Sequence, residues 1–585
     1  MKVLAFSPHA FIWVHSFPEA LALKALKDGG LDVTYIQCDR AYKTFCTCMN
    51  SVNLNISTPE AQREKICRVC IKNSDAIVNN FGFKGFALSS FLDQKDLDQA
   101  QSFSDSINFK DCLSFIFDGF ELGRFAAYEL IVRLKLSRPE LTEEMREVGK
   151  IHVRNAIISF LALRKAFIQV QPDRCVVYNS YYMPNKIAAV LAQQNGIPVY
   201  SLHGGMSCSD QMYRSLIVGR NHSYQWIKDV IRHWPLRRNT PINRKEAEEI
   251  KDHYKSLFAA KSPATYSCPP GGNVDIRAFF GIEISQKIVV ATLSSSDELL
   301  AYLYTEDKLS ESDLIFPTTI EWVEQLISFF KKRKDIFLII RVHPREFPNK
   351  RESKLSQSGK KMKEQLVNLP VNVRVNWPDD RLSLYDIAEV ADLVLNAWSS
   401  AGKELSIFGI PVLTYAGSLL FYPDDLCYSV KNRDEYFNTI DIALNKGWSS
   451  DCIIRSFRWH AMELVNAMID IGEDYIGKPS YRSSKTWMRI ESVCSRFGLS
   501  LNRFVDFFGV HSNSSYKSII CDLIVSAKKT KMDIVPLDNI ERSNKDELSI
   551  IKETLMEILK VRYNEDLEVI SKDTLKSKLL AFIQN

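Results

Sequence analysis

Apolar residues fall along this chain as short unbroken runs set between stretches of helical period. The runs include Val3-Leu4-Ala5-Phe6, Cys175-Val176-Val177-Tyr178, 288–293, Phe337-Leu338-Ile339-Ile340 and Leu393-Val394-Leu395. Runs of this length, rich in β-branched residues, predict strands buried on both faces of a parallel sheet. After the first run a loop holds His9 and His15, and an apolar-periodic helix is expected from about 18 to 27. Asp28-Gly29-Gly30 ends that helix and 31–36 begins a second strand, which makes a βαβ opening. The alternation returns at 175–202, with a helix over 186–194, and again from 288 onward. A chain patterned this way is of the α/β class.

Two of the runs end in side chains suited to an anion. The first leads into Arg341-Val342-His343-Pro344-Arg345-Glu346, where the proline stops the ladder and Arg341, His343 and Arg345 gather at the strand's carboxyl end. Ligands of open α/β sheets bind beyond that end. A solvated strand end with chance charge would show the same letters. The second run leads into Asn396-Ala397-Trp398-Ser399-Ser400-Ala401-Gly402-Lys403-Glu404, small hydroxyl residues and a glycine before a helix. A helix start offers backbone N–H groups to a phosphate, and Glu404 in its first turn is placed for a ribose diol. An ordinary serine cap with a dipole-complementing glutamate explains the second segment alone. The two segments together, expected on adjacent strands, favour a nucleotide phosphate.

These segments resemble the bacterial capsule and surface-polysaccharide glycosyltransferases of GT-B fold. The resemblance runs, in order, through 288–293 with Ser294-Ser295-Ser296-Asp297-Glu298, Glu321-Trp322-Val323, the His343-Pro344 segment, Ser383-Leu384-Tyr385-Asp386, Ser399-Ser400 and Gly409-Ile410-Pro411-Val412. It covers about 275–430 and thins in the first half. The His-Pro and Ser-Ser pair is similar to that of sialyl and Kdo transferases and glycerol-phosphate polymerases. It implies a nucleotide-activated sugar donor, with a CMP-linked donor favoured. Arg341, His343, Pro344, Arg345, Ser399, Ser400, Gly402, Glu404, Ser294 and Ser295 would then surround the donor nucleotide.

Composition fits an ordinary globular protein. With 585 residues the chain is too long for one core, and 46% apolar and 25% charged residues mark no special class. A net charge of +5 does not argue for nucleic acid. No apolar run is long enough to span a bilayer, and Pro8 and His9 break the first one, so it does not read as a signal peptide. A cytoplasmic protein is expected, able to sit at the periphery of the inner membrane or in an assembly complex. Thiols or metal ligands are then expected of the 13 cysteines.

Five cysteines crowd an insert at about 38–70: Cys38, Cys46, Cys48, Cys67 and Cys70. Their spacing suits tetrahedral zinc, the same ligands could hold an iron–sulfur cluster, and reduced core cysteines are the plain alternative. The resemblance adds that related polysaccharide enzymes carry scattered cysteines before a CxxC at this place. It also suggests two candidate general bases. Asp118 precedes Gly119, as the base does in bacterial sialyltransferases, although the paired acidic dipeptide is missing. His203 precedes Gly204-Gly205 at a strand's end, as in the polymerase relatives, and histidine suits a base near neutral pH.

The expected architecture is α/β of GT-B type, two Rossmann-like domains facing a central cleft. Residues 1–272 would form the acceptor domain with its Cys-rich insert, 273–480 the nucleotide-donor domain, and 481–585 a helical C-terminal appendage. The expected activity is transfer of a sugar to a growing surface polysaccharide or glycolipid, inverting and without a catalytic metal. Two alternatives share the fold: a CDP-polyol phosphotransferase and a sugar-nucleotide epimerase.

Overall fold

The computed structural model describes all residues except 210–213, 261–264, 272–273, 307–313, 350–351, 416–418, 427, 476–484, 497–500, 512, 538–543 and 569–573. The domain boundaries expected near 272 and 480 lie outside the described residues.

Two separate sheets form, as the repeated alternation predicts. The first contains β1 (Lys2–Ser7), β2 (Asp32–Gln37), β3 (Lys84–Ala87), β4 (Arg174–Tyr178), β5 (Val199–Gly204) and β6 (Ser215–Arg220). Their order is β3-β2-β1-β4-β5-β6, all parallel except β6. The second contains β7 (Lys287–Thr292), β8 (Ile336–Arg341), β9 (Val373–Asn376), β10 (Leu393–Asn396), β11 (Val412–Thr414) and β12 (Tyr428–Ser429). Its order, β9-β8-β7-β10-β11-β12, is fully parallel. Each half thus starts with the 3-2-1-4-5 order of a Rossmann sheet, in which the crevice for a ligand opens where the order reverses. The fold is α/β with two Rossmann-like lobes.

Register fixes what stands at that crevice in the second lobe. Thr292 on β7 is level with Arg341 on β8 and with Asn396 on β10. The His-Pro and Ser-Ser segments therefore leave the sheet at the same height, but on either side of β7. They are not on neighbouring strands, as their patterns alone suggested. The gap between them is the width of one strand.

The helix after β1 is longer than its pattern predicts, spanning Trp13–Asp28 with Pro18 inside it. Proline costs one backbone hydrogen bond there, and Phe17, Leu21, Leu23 and Leu26, fully buried, offset that loss. Further on, a tight turn at Phe117 and Phe120 precedes helices Leu122–Leu134 and Arg146–Val170.

The chain does not keep to one lobe at a time. Helix Arg244–Phe258 buries Ile250, Tyr254, Leu257 and Phe258 among residues of the second sheet, such as Ile288, Val394 and Val412. Strand β13 (Ile469–Asp470) then returns to pair antiparallel with β6. The described residues beyond 484 are mainly helical, and their apolar faces are divided between the lobes. Helix Tyr516–Val525 packs Ile520, Leu523 and Ile524 into the first lobe's core with Leu26 and Tyr200. Helices Asn544–Arg562 and Leu575–Gln584 pack Ile551, Leu555, Ile558 and Leu579 into the second. Each fully buried aliphatic side chain stabilises by roughly 1.5–3 kcal/mol, so this segment completes both cores and is more than an outer decoration. Among the described residues, no helix is long and apolar enough to cross a membrane.

Candidate functional site

A cleft of about 1030 Å3, partly open to solvent, lies between the lobes. Its second-lobe wall carries Thr292, Arg341, His343, Pro344, Ser399, Ser400 and Glu404, and its first-lobe wall carries Met206 and Cys208 from the loop after β5. The carboxyl ends of β5, β8 and β10 thus open onto one space. For the second sheet this is where the strand order predicts a ligand, whereas the reversal of the first sheet, between β1 and β4, does not line this cleft.

Arg341 is buried at 8% exposure, and its three hydrogen-bond acceptors are all neutral. It donates to Asn376, to the Leu382 carbonyl at 3.1 Å and to Ser267 Oγ at 3.1 Å. No carboxylate forms an ion pair with it among the described residues. Burial brings its pKa down to about 10, so it is still cationic at neutral pH. No carboxylate touches this buried guanidinium, although Asp386 and Asp380 act on it from further off, and such a cation favours an anion in the adjoining space.

His343 is half-buried beside it. Its Nδ1 accepts the Arg345 backbone N–H at 3.2 Å, which puts the ring proton on Nε2. Burial, then the charges of Arg345 and Arg341, push its pKa down to about 3. The ring is therefore a neutral N–H donor. Across β7, Ser399 is half-buried and Ser400 exposed. Helix Ala401–Ser406 is only six residues long, and its first N–H groups already have partners: Ala401 donates to Ser399 Oγ at 3.2 Å and Gly402 to the Ser399 carbonyl at 3.3 Å. What this turn offers the cleft is chiefly hydroxyl groups. Glu404 is held by Tyr385, whose hydroxyl donates to Oε2 at 2.8 Å.

Four residues expected around the nucleotide have other occupations. Arg345 is 2% exposed and is taken up by carboxylates, with Asp297 at 3.0 Å and Glu298 at 2.9 Å. It also donates to Ser295 Oγ at 2.8 Å. Ser295 in turn donates to Asp297, and Ser294 Oγ accepts the Trp398 N–H at 3.3 Å. These groups tie the lobes together: Lys135 of the first lobe donates to the Arg345 carbonyl at 2.6 Å and pairs with Glu352 at 2.9 Å. Gly402 is glycine because a Cβ there would stand 2.0 Å from the Tyr422 hydroxyl oxygen.

In the first lobe, His203 ends β5, half-buried. Its Nδ1–H donates to the Gly204 carbonyl at 2.9 Å, which leaves Nε2 as the lone-pair nitrogen. Burial lowers its pKa. Its ring stacks on Tyr178, and so does that of His15, 4.6 Å away. His9 is nearly enclosed, with Nε2 3.5 Å from Glu19 Oε2, and neither ring nitrogen has a hydrogen-bond partner. Burial and the neighbouring His9 and His203 hold the His15 pKa well below its ordinary value. Three histidines therefore meet at the ends of β1, β4 and β5. Asp118 is elsewhere: it sits in the tight turn after Phe117, 53% exposed at its side chain and paired with Arg164. Neither Asp118 nor His203 is among the residues that line the cleft, which β5 reaches through Met206 and Cys208 of the loop that follows it.

The five insert cysteines do converge, around a small pocket beside Pro8. Other site residues were not legible. Lys403 lies under the serine turn and pairs with Glu463 at 2.6 Å. Tyr254 donates to His460 Nε2 at 3.0 Å, and His253 Nδ1 accepts the Cys208 N–H at 2.9 Å across the lobes. These partners are separated by 45 to 206 positions in sequence, and no local pattern links them. Glu19 had one available signal, a carboxylate inside an otherwise apolar helix.

No protein-family model matches the chain, and no curated protein matches it. Solved structures with some likeness include the β-Kdo 2,4-transferase KpsC of Thermosulfurimonas dismutans, at 14% identity and a TM-score of 0.29, covering 49% of this chain and 78% of that one. The UDP-GlcNAc 2-epimerase of Methanocaldococcus jannaschii is 11% identical with a TM-score of 0.25, covering 78% of this chain and 98% of that one. The spinosyn rhamnosyltransferase SpnG is 13% identical with a TM-score of 0.22, covering 79% and 95%. Likenesses this distant carry no argument about chemistry, and the function has to be read from the chain's own geometry.

Proposed function

We propose that the chain is a GT-B glycosyltransferase that moves a sugar from a nucleotide-activated donor, CMP-linked by preference, to a surface polysaccharide or glycolipid acceptor. The observation that carries this reading is Arg341, a buried cation with only neutral partners, facing a cleft whose other groups are hydrogen-bond donors and one held carboxylate. In the scheme, Arg341 and the His343 Nε2–H receive the phosphate, the Ser399 and Ser400 hydroxyls add donors, and Glu404 takes the ribose hydroxyls. These fixed donors stabilise the departing nucleotide without a catalytic metal. His203, neutral and with Nε2 free to accept, removes the proton from the acceptor hydroxyl as the sugar–phosphate bond breaks.

A thermal-shift screen of CMP, CDP, UDP and GDP tests the donor half, since a ligand of the folded state alone raises the melting temperature. Stabilisation by CMP in the wild type and not in Arg341→Met is expected. No stabilisation by any nucleotide would overturn the reading. Conversion of a nucleotide sugar to its epimer without an acceptor would replace transfer by epimerisation.

A further inference from the structure

The cysteine pocket is independent of the cleft and has no part in the scheme above. Five sulfurs from three separate segments surround one pocket of about 360 Å3, partly open to solvent. Cys38 follows β2, Cys46 and Cys48 flank the start of the short helix Thr47–Asn50, and Cys67 and Cys70 lie one turn apart on helix Glu60–Phe81. An i, i+3 pair shares a helix face, so both thiols of the CxxC point the same way.

Protein interiors are close-packed, and a cysteine serving as a small core residue is packed against its neighbours. Here Cys67, Cys38 and Cys46 also touch the surrounding cores, yet all five cysteines face one shared space. Cys48 is within side-chain hydrogen-bonding reach of both Cys46 and Cys70. Cys70 also receives backbone N–H groups from Ala10 and Phe11 in the loop after β1. Amide donors aimed at a sulfur are the outer support that thiolate ligands of metals use. The charged side chains at the rim are engaged elsewhere: Arg40 pairs with Glu64 at 2.6 Å, and Asp39 accepts from Ser89.

The surrounding chain is irregular, and it reaches the first lobe's main core through Tyr42, with Cys38, Ala41 and Cys46 against it. Between β2 and helix Glu60–Phe81 the only regular element is a single four-residue helix. Its local core comprises Phe45, Met49 and Cys67 as buried members. Small irregular segments are commonly fastened by a metal or a cross-link. Among the described residues, no three ligand groups already stand at metal-binding distances.

We propose that Cys38, Cys46, Cys48, Cys67 and Cys70 form a thiolate site for a thiophilic metal, with four of them, Cys48 and Cys70 among these, as ligands. A closed four-thiolate shell leaves no open position, so its role is structural. It would fasten the irregular segment and helix Glu60–Phe81 to the loop that carries His9.

The test uses the full chain purified without chelator and under anaerobic conditions. Elemental analysis should find about one zinc per chain, or iron with visible absorbance if the same thiolates hold a cluster. Cys48→Ser and Cys70→Ser should each lose most of the metal, and Cys175→Ser, buried in β4 away from the pocket, should keep it. Should the two variants fail to fold, a mercurial titration of the wild type serves instead: blocking the thiols should release the metal to a chromogenic chelator. Metal-free wild type, or metal retained by both variants, would overturn the proposal.

Discussion

The Tyr385 hydroxyl donates to Glu404 Oε2 at 2.8 Å, so the one carboxylate at the mouth of the serine turn is held in a single orientation. If that carboxylate grips the ribose, Tyr385→Phe should weaken nucleotide binding by about 1 kcal/mol, roughly fivefold. Calorimetry with ribonucleotide and 2′-deoxynucleotide checks the assignment. The wild type should distinguish the two and Glu404→Ala should not. Equal affinity of the wild type for both takes Glu404 off the ribose.

His343→Ala and the double variant Ser399→Ala/Ser400→Ala should each reduce affinity for the best nucleotide while leaving the fold intact. None of the three side chains supports the core: His343 and Ser399 are half-buried and Ser400 is exposed. Charge-assisted hydrogen bonds to a phosphate are worth about 1.5–3 kcal/mol each. Titration calorimetry is the measurement, and unchanged affinity in both variants would remove this wall from the site.

The two arginines of the His-Pro segment should fail in opposite ways. Arg341→Met removes a buried cation that no carboxylate touches, so the ligand-free melting temperature should hold or rise while nucleotide binding is lost. Arg345→Met strands Asp297 and Glu298 and should destabilise by about 3–5 kcal/mol. Differential scanning of the two variants separates them. A matching loss of stability would mean that Arg341, too, is a structural group.

His203→Ala should lower turnover by about 10²–10⁴-fold, the usual worth of a general base, and leave nucleotide affinity nearly unchanged. The wild-type rate should fall as acid protonates the ring, and the variant should lack that limb. Asp118→Asn, at an exposed turn, should behave as wild type. A dead Asp118→Asn with an active His203→Ala would move the base to the carboxylate.

Burial, then the charge of Arg133, brings the pKa of His152 down to about 4. Between about pH 4 and 6.5 the unfolded chain binds a proton on this ring that the folded protein does not. Stability should therefore be intact above about pH 6.5 and fall as pH drops through that window, by up to about 1.4 kcal/mol per pH unit for this one proton. His152→Gln keeps a donor for the Ala126 carbonyl, which His152 Nε2 reaches at 2.7 Å. The drop in melting temperature from pH 7.5 to 5.5 should shrink in that variant. An identical drop would show that His152 is protonated in the folded protein.

The strands were legible because each is a buried run with a clear end, and the ends proved to be the chemistry. Arg341, His343, Ser399, Ser400 and Glu404 reach one cleft because parallel strands bring their carboxyl ends to one edge. Arg341 and Arg345 look alike in sequence, yet one faces the cleft and the other an ion cluster between the lobes. The 3₁₀ turn Pro344–Glu346 separates them, and its direction follows from Asp297 and Lys135, 48 and 210 residues away. Partnerships of that range leave no local pattern. The same holds for the helices past 484, whose apolar faces show that they are covered but not which lobe covers them.

Strand β13 has a consequence for how the protein can be made. A ribosome delivers the first five strands of the first sheet by residue 204, yet the edge partner of β6 emerges only at Ile469 and the covering helix only at Tyr516. Until then β6 presents an unpaired edge, and Tyr200 and Leu202 lack their lid, while the second lobe folds in between. Two helices that complete its core, Asn544–Arg562 and Leu575–Gln584, follow later still. Neither lobe is therefore a unit of biosynthesis: a nascent or truncated chain that stops short of these segments carries two unfinished cores and a sticky strand, and expression of isolated halves should yield aggregates.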